Sequence, residues 1–201
     1  MNESDVQVDD LTELFEAEAD CTRCPLYKSG TQVVPGEGKP DSVLMFVGEQ
    51  PGDQEDRAGR PFVGPAGHVL DKALKQAGIE RSTTFVTNAV KHFKHEQRGK
   101  RRLHKRPNVN EIERCNWWLT RELALVRPRC VVALGATAVR SLTGRSRSIS
   151  SLRGKQHHLA DGTPFYATVH PSYLLRLRGD EEKAAAFRQF VADIKQARAD
   201  G

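Results

Sequence analysis

The sequence has no apolar run approaching bilayer length, no basic and apolar leader, and no signature for binding nucleotide phosphates. The first absence argues against a helical membrane protein. The opening decapeptide MNESDVQVDD is acidic, unlike an export signal, so the expected compartment is the cytoplasm and residues 1–10 read as a flexible tail. With neither G-x-G-x-x-G nor a Walker lysine, no dinucleotide or P-loop site is expected. Internal repeats and interdomain linkers are also missing. A chain of 201 residues suits one domain with its own core, here residues 11–201. Cysteine is scarce: Cys21, Cys24, Cys115 and Cys130 are the full set. In a reducing compartment they point to a metal site more than to disulfides, with buried free thiols as the plainer alternative.

What the chain does have is basic charge. The net charge is +5 and the pI about 9.1, which favours a polyanionic partner. Charge is concentrated in residues 91–106, KHFKHEQRGKRRLHKR, where Lys, Arg and three His accompany a single Glu. Lying between two well-patterned elements, this run reads as a loop of the domain.

Residues 11–19 suit a short helix leading into Cys21-x2-Cys24. SVLMFVGE (42–49), TFVTNAV (84–90) and CVVALG (130–135) are compact apolar runs, as buried parallel strands show. Helices are expected over 65–79, with Pro65 in the first turn and Gly78 as a stop, and over 109–126, ended by Pro128. ATAVRSL and residues 180–198 are two more helices, and two strands fold about Asp161-Gly162. The alternation predicts an α/β fold, a three-layer α/β/α domain with a mainly parallel central sheet. Ligands bind beyond the carboxyl ends of such strands, so the loops after Val47, Ala89 and Val169 should converge.

The loop GEQPGDQEDRAGRPFVGPAG (48–67) resembles the first motif of the uracil-DNA glycosylases, in particular their iron–sulfur branch. Its GEQPG core is similar to the UdgX-type subgroup, whereas family 4 enzymes typically carry GEGPG. The resemblance continues in order through TNAVKHFK (87–94), KRRLHK (100–105), LGATA (134–138) and TVHPSYLLR (168–176), spanning about residues 21–195.

The resemblance implies a uracil-DNA glycosylase-like fold, a monomer, and uracil-containing DNA with a nucleotide flipped into a pocket. Phe62 would stack on the base. Asn88 would accept from uracil N3–H and donate to O4, the reverse of what cytosine offers. His170 would donate to O2 as charge develops on the leaving base. Gln50 and Asp53 complete the uracil-binding set; Lys100, Arg101, Arg102 and Ser172 would contact DNA, and Leu174 or Leu175 would wedge into the stack. In the best-known glycosylases an Asp prepares the attacking water; Gln50 stands there and has no useful basicity, leaving Glu49, Asp53 or Asp56 to assist.

KRRLH resembles the KRRIH insertion of the UdgX subgroup, whose His attacks C1′ after the base has left. His104 is the counterpart, kept uncharged by its basic neighbours, with Glu49 to orient the ring or take its proton. The implied reaction is uracil excision ending in a covalent bond between His104 and C1′ of the abasic sugar. A turnover glycosylase similar to family 4 and a non-catalytic uracil-DNA-binding module remain alternatives. Four thiolates suit zinc or an iron–sulfur cluster equally. The resemblance selects a structural 4Fe–4S cluster on Cys21, Cys24, Cys115 and Cys130.

Overall fold

The computed structural model of the chain describes residues 8–199, so most of the expected tail lies outside the described residues. Asp10 does not belong to a tail. Its carboxylate accepts from Thr12 N and Glu13 N at 2.7 and 3.0 Å and caps the first helix, α1 (Leu11–Ala19).

The strands are β1 (Leu44–Gly48), β2 (Thr84–Asn88), β3 (His95–Arg98), β4 (Arg101–His104), β5 (Cys130–Leu134), β6 (His157–His158) and β7 (Pro164–Thr168). Five of them form a sheet in the order β2-β1-β5-β7-β6, parallel except for the edge strand β6. The remaining helices are α2 (Asp53–Ala58), α3 (Pro65–Gln76), α4 (Val109–Val126), α5 (Ala136–Thr143), α6 (Ile149–Leu152), α7 (Pro171–Arg176) and α8 (Asp180–Ala199).

Successive strand side chains point to opposite faces, and each face finds its own layer of helices. Met45, Val47, Phe85, Val131 and Ala133 pack with Leu14 of α1, Ile112 and Leu119 of α4, and Val139 of α5. Leu44, Phe46, Val86, Val132 and Leu134 pack with Leu70 and Leu74 of α3 and Phe190 and Ile194 of α8. All five residues of β1 are buried, each large apolar one contributing about 1.5–3 kcal/mol of transfer free energy. The three-layer α/β/α reading holds. Among the described residues no helix is long and apolar enough to cross a membrane.

Local chemistry sets the element ends. α4 opens on an Asn-x-x-Glu capping box, with Glu111 N donating to Asn108 Oδ1 at 2.9 Å and Asn108 N to Glu111 Oε2 at 2.7 Å. It closes at Arg127, in the left-handed region before Pro128. The basic run departs from expectation. Instead of an irregular loop it forms the antiparallel hairpin β3–β4, His95 opposite His104, turning at Gly99 with φ +57°.

From β1 the chain crosses to β2 on one side, then returns to β5 on the other side of β1. The crevice beyond the carboxyl ends of β1 and β5 is therefore the topological switch point, where such sheets bind ligands.

Candidate functional site

β1 and β2 stay in register to their last pair, Gly48 opposite Asn88, so Asn88 ends a strand and is not a turn residue. Gly48 leaves room for what meets above it. A Cβ there would collide with Asn88 Oδ1 and lie 2.6 Å from Phe62 Cζ. Phe62 itself is held at φ +55°, an uncommon conformation for a bulky residue, which the surrounding packing must enforce. Its ring lies 6.0 Å from that of His170, tilted by 29°. Phe62, Asn88 and His170, three side chains expected at the base, thus lie together beyond the end of β1.

His170 caps α7. Its Nδ1 accepts from Ser172 N at 3.2 Å, and Ser172 Oγ lies 2.9 Å away. A backbone N–H can only donate, so Nδ1 carries the lone pair and the neutral ring holds its proton on Nε2. Burial pushes the His170 pKa down to about 4, outweighing the nearby Glu49 carboxylate, while His104 and Arg176 add to the depression. Ser172, expected against DNA, is engaged in holding this ring and in accepting from Arg176 Nη1 at 3.1 Å.

Glu49 follows Gly48 and bridges the switch point. Its Oε2 accepts from Thr137 Oγ1 of α5 at 2.5 Å, and its Oε1 lies 3.3 Å from His104 Nε2. Arg106 Nε is 3.7 Å from the same carboxylate. Burial favours the protonated acid, but the hydrogen bonds from His104 and Thr137 outweigh it and hold Glu49 below the usual carboxylate range. Glu49 is an ionised acceptor beside a ring whose side chain remains 50% exposed.

The hairpin carrying His104 is pinned from three sides. Gln50 Nε2 donates to Lys94 O and Lys105 O, both at 3.1 Å, while its Oε1 accepts from Lys94 N at 3.3 Å. Lys94 Nζ pairs with Glu111 at 2.8 Å. Arg102 binds Asp53 Oδ1 at 2.5 Å, Thr31 Oγ1 at 2.9 Å and the buried Asp56 carboxylate, and packs over the Phe93 ring.

These contacts reassign several expected roles. The Gln50 amide is a clamp on the hairpin, with its oxygen and both of its donors engaged by Lys94 and Lys105. Asp53 is taken up by Arg57 and Arg102, and Arg102, 12% exposed, is spent on Asp53 and Asp56. Asp56, a candidate carboxylate, is likewise occupied by Arg102 and Thr31 N. Lys100 and Arg101 stay exposed at the hairpin tip. Leu174 is core; Leu175 is the exposed one, leaving it as the wedge candidate. Thr137, Lys94 and Glu111 carry positional roles that residue type alone did not suggest, although Thr137 lies inside the LGATA motif.

The cysteines divide. Cys21, Cys24 and Cys115 sit in the core layer with α1 and α4. Trp118 Nε1 lies 3.1 Å from Cys21 Sγ, and Lys91 N donates to Cys115 Sγ at 3.2 Å. Cys130 begins β5 among Leu44, Phe46 and Phe190, in the layer on the other side of the sheet. The structure brings three of the four expected ligands to one face of the sheet and leaves Cys130 on the other. Among the described residues, no three His, Cys, Asp or Glu converge as one bound ion requires. A cluster of several irons takes one ligand at each iron and spreads them, which suits the three thiols but leaves a corner unfilled.

Comparison with known proteins agrees with this geometry. The profile of the family described as the Uracil DNA glycosylase superfamily matches residues 35–195. A type-4 uracil-DNA glycosylase of Thermotoga maritima is 38% identical over 89% of this chain and 88% of its own length. One from Pyrobaculum aerophilum is 38% identical over 88% of this chain and 92% of its own length. A type-5 enzyme of that organism is 31% identical over 77% of this chain and 79% of its own length. From the profile match, the relatives and the shared fold, the chain belongs to the uracil-DNA glycosylase superfamily.

Proposed function

We propose that this protein cleaves the N-glycosidic bond of deoxyuridine in DNA and that His104 then captures the sugar carbon in place of water. The observation that carries the second half is the contact of His104 Nε2 with Glu49 Oε1 at 3.3 Å, next to the pocket of Phe62, Asn88 and His170. Phe62 supplies a stacking face and Asn88 an amide for the Watson–Crick edge. As the bond breaks, uracil keeps the electron pair of the C1′–N1 bond, and His170 Nε2–H donates to its developing negative O2. The Glu49 carboxylate stabilises the cationic sugar. A ring nitrogen of His104 gives its lone pair to C1′, and the proton the ring loses passes to Glu49 and then to solvent. Lys100 and Arg101 grip the flanking phosphates.

The second reading is turnover with water as the nucleophile and Glu49 as its base, favoured by the relatives named type-4 uracil-DNA glycosylases. One experiment separates the two. Protein is incubated with an oligonucleotide containing one uracil, or thymine at that position; released uracil is counted, and products are run on a denaturing gel. Capture predicts at most one uracil per chain and a denaturant-resistant band with uracil-DNA alone, which peptide mapping places on His104 and His104→Ala loses. Uracil released in large excess over protein, with no shifted band, overturns capture but keeps excision. No release at all overturns both.

A further inference from the structure

The three clustered thiols leave one ligand position to be supplied by another residue. His92 is buried, 4% exposed, and its Nδ1 has no hydrogen-bond partner. Such a nitrogen is costly to bury unless something binds it. Its placement is fixed from two directions. On one side is Lys91, whose N–H reaches Cys115 Sγ at 3.2 Å. On the other is the loop running on from Cys24: a Cβ on Gly30 would lie 3.3 Å from His92 Cδ2 and 3.5 Å from His92 Cβ. The imidazole stands between the two chain segments that carry the thiols.

We infer that the metal centre of this chain is held by Cys21, Cys24, Cys115 and Nδ1 of His92, and that Cys130 takes no part. The set gives three thiolates and one imidazole, donors that the irons of a cluster accept. The far side of the ring supports the same role. Asp56 Oδ1 would lie 3.4 Å from that Gly30 Cβ, placing a carboxylate in the space that His92 borders. Ligating histidines commonly present their second nitrogen to such a group. Asp56 also binds Arg102 of the His104 hairpin.

The test reads metal, not activity, and needs no DNA. Iron, labile sulfide and zinc are counted per chain in anaerobically prepared, iron- and sulfide-reconstituted protein, for the wild type, Cys130→Ala, His92→Ala and His92→Cys. Cys130→Ala should keep the wild-type metal content and visible spectrum. His92→Ala should lose a quarter or more of the metal, and His92→Cys should restore it with a shifted spectrum. Labelling histidine with 15N should change the hyperfine couplings of the reduced iron centre in the wild type but not in His92→Cys. Loss of metal in Cys130→Ala, full retention in His92→Ala, or a wild type holding no iron each overturns the assignment. A failure of uracil excision would leave these readings unaffected, so the two conclusions fall separately.

Discussion

At Gly48 a missing side chain does the positioning. Because β1 and β2 end in register, Asn88 and Phe62 close over that residue with no space for a methyl group. Gly48→Ala should therefore leave the strand intact, as alanine is compatible with extended backbone, while pushing Asn88 and Phe62 out of place. The expected result is a loss of about 1–3 kcal/mol in unfolding free energy, with the protein still folded, and uracil release reduced by roughly two orders of magnitude. Urea titration and single-turnover release would measure both; unchanged release would mean that the base binds elsewhere. His170 gives the corresponding pH statement. Its folded pKa of about 4 lies below the ordinary value, so between the two the unfolded ring takes up a proton that the folded ring refuses. Stability from this residue is thus full above about pH 7 and declines as pH falls toward 4. Over that range the folded ring stays neutral, so excision should not titrate near pH 6.5 on its account. A histidine titration resolved by NMR would locate the transition, and one for His170 near pH 6.5 would refute the account.

The hairpin shows at the scale of elements what was legible and what was not. The buried strands and long helices announce themselves because apolar periodicity and caps are local: LMFVG, CVVAL and the Asn108-to-Glu111 box need no tertiary partner to be read. The hairpin is held by its surroundings. Its strands are partly or fully exposed, so no alternation marks them, and their order comes from Gln50, Glu111, Asp53 and Asp56, residues distant in sequence. α2 escapes sequence reading for a different reason: its six residues carry no apolar face, although Glu55 closes a local box on Gly52 N at 3.1 Å and holds Gly64 N at 2.7 Å. In sequence the basic loop and Gln50 are therefore two separate features, whereas in the fold one holds the other. Gln50→Glu tests that link. A carboxylate cannot donate to Lys94 O and Lys105 O, and two lost hydrogen bonds at about 1 kcal/mol each amount to roughly 30-fold. We expect covalent capture to slow by that order and amide exchange across 95–104 to rise, with uracil release less affected. Equal slowing of release and capture would place Gln50 in the excision step instead.

Across the whole molecule, the pocket rests on a buried polar network that connects both ends of the chain's first half. Lys91 and Glu122 are fully buried and 2.7 Å apart, and Thr87, one residue before Asn88, hydrogen-bonds to both. Burial opposes the charge on Lys91, but Glu122 and Glu18 outweigh it and keep the ammonium. Burial pushes the Glu18 carboxyl up to about 8, and Lys91 lies closer to Glu122, at 2.7 Å, than to Glu18, at 4.0 Å. Such a pair adds little over apolar replacements of the same shape, yet removing one member leaves the other charge stranded. Lys91→Met should therefore cost about 3–5 kcal/mol of unfolding free energy, and Lys91→Met with Glu122→Leu should recover most of it. The two side chains join β2 to α4, which bear Asn88 and Cys115, while the Lys91 backbone touches that thiol directly. Recovered stability with uracil release still impaired would assign the network to positioning the end of β2. A double variant as unstable as the single one would show that the cost lies in packing volume, not in the stranded charge.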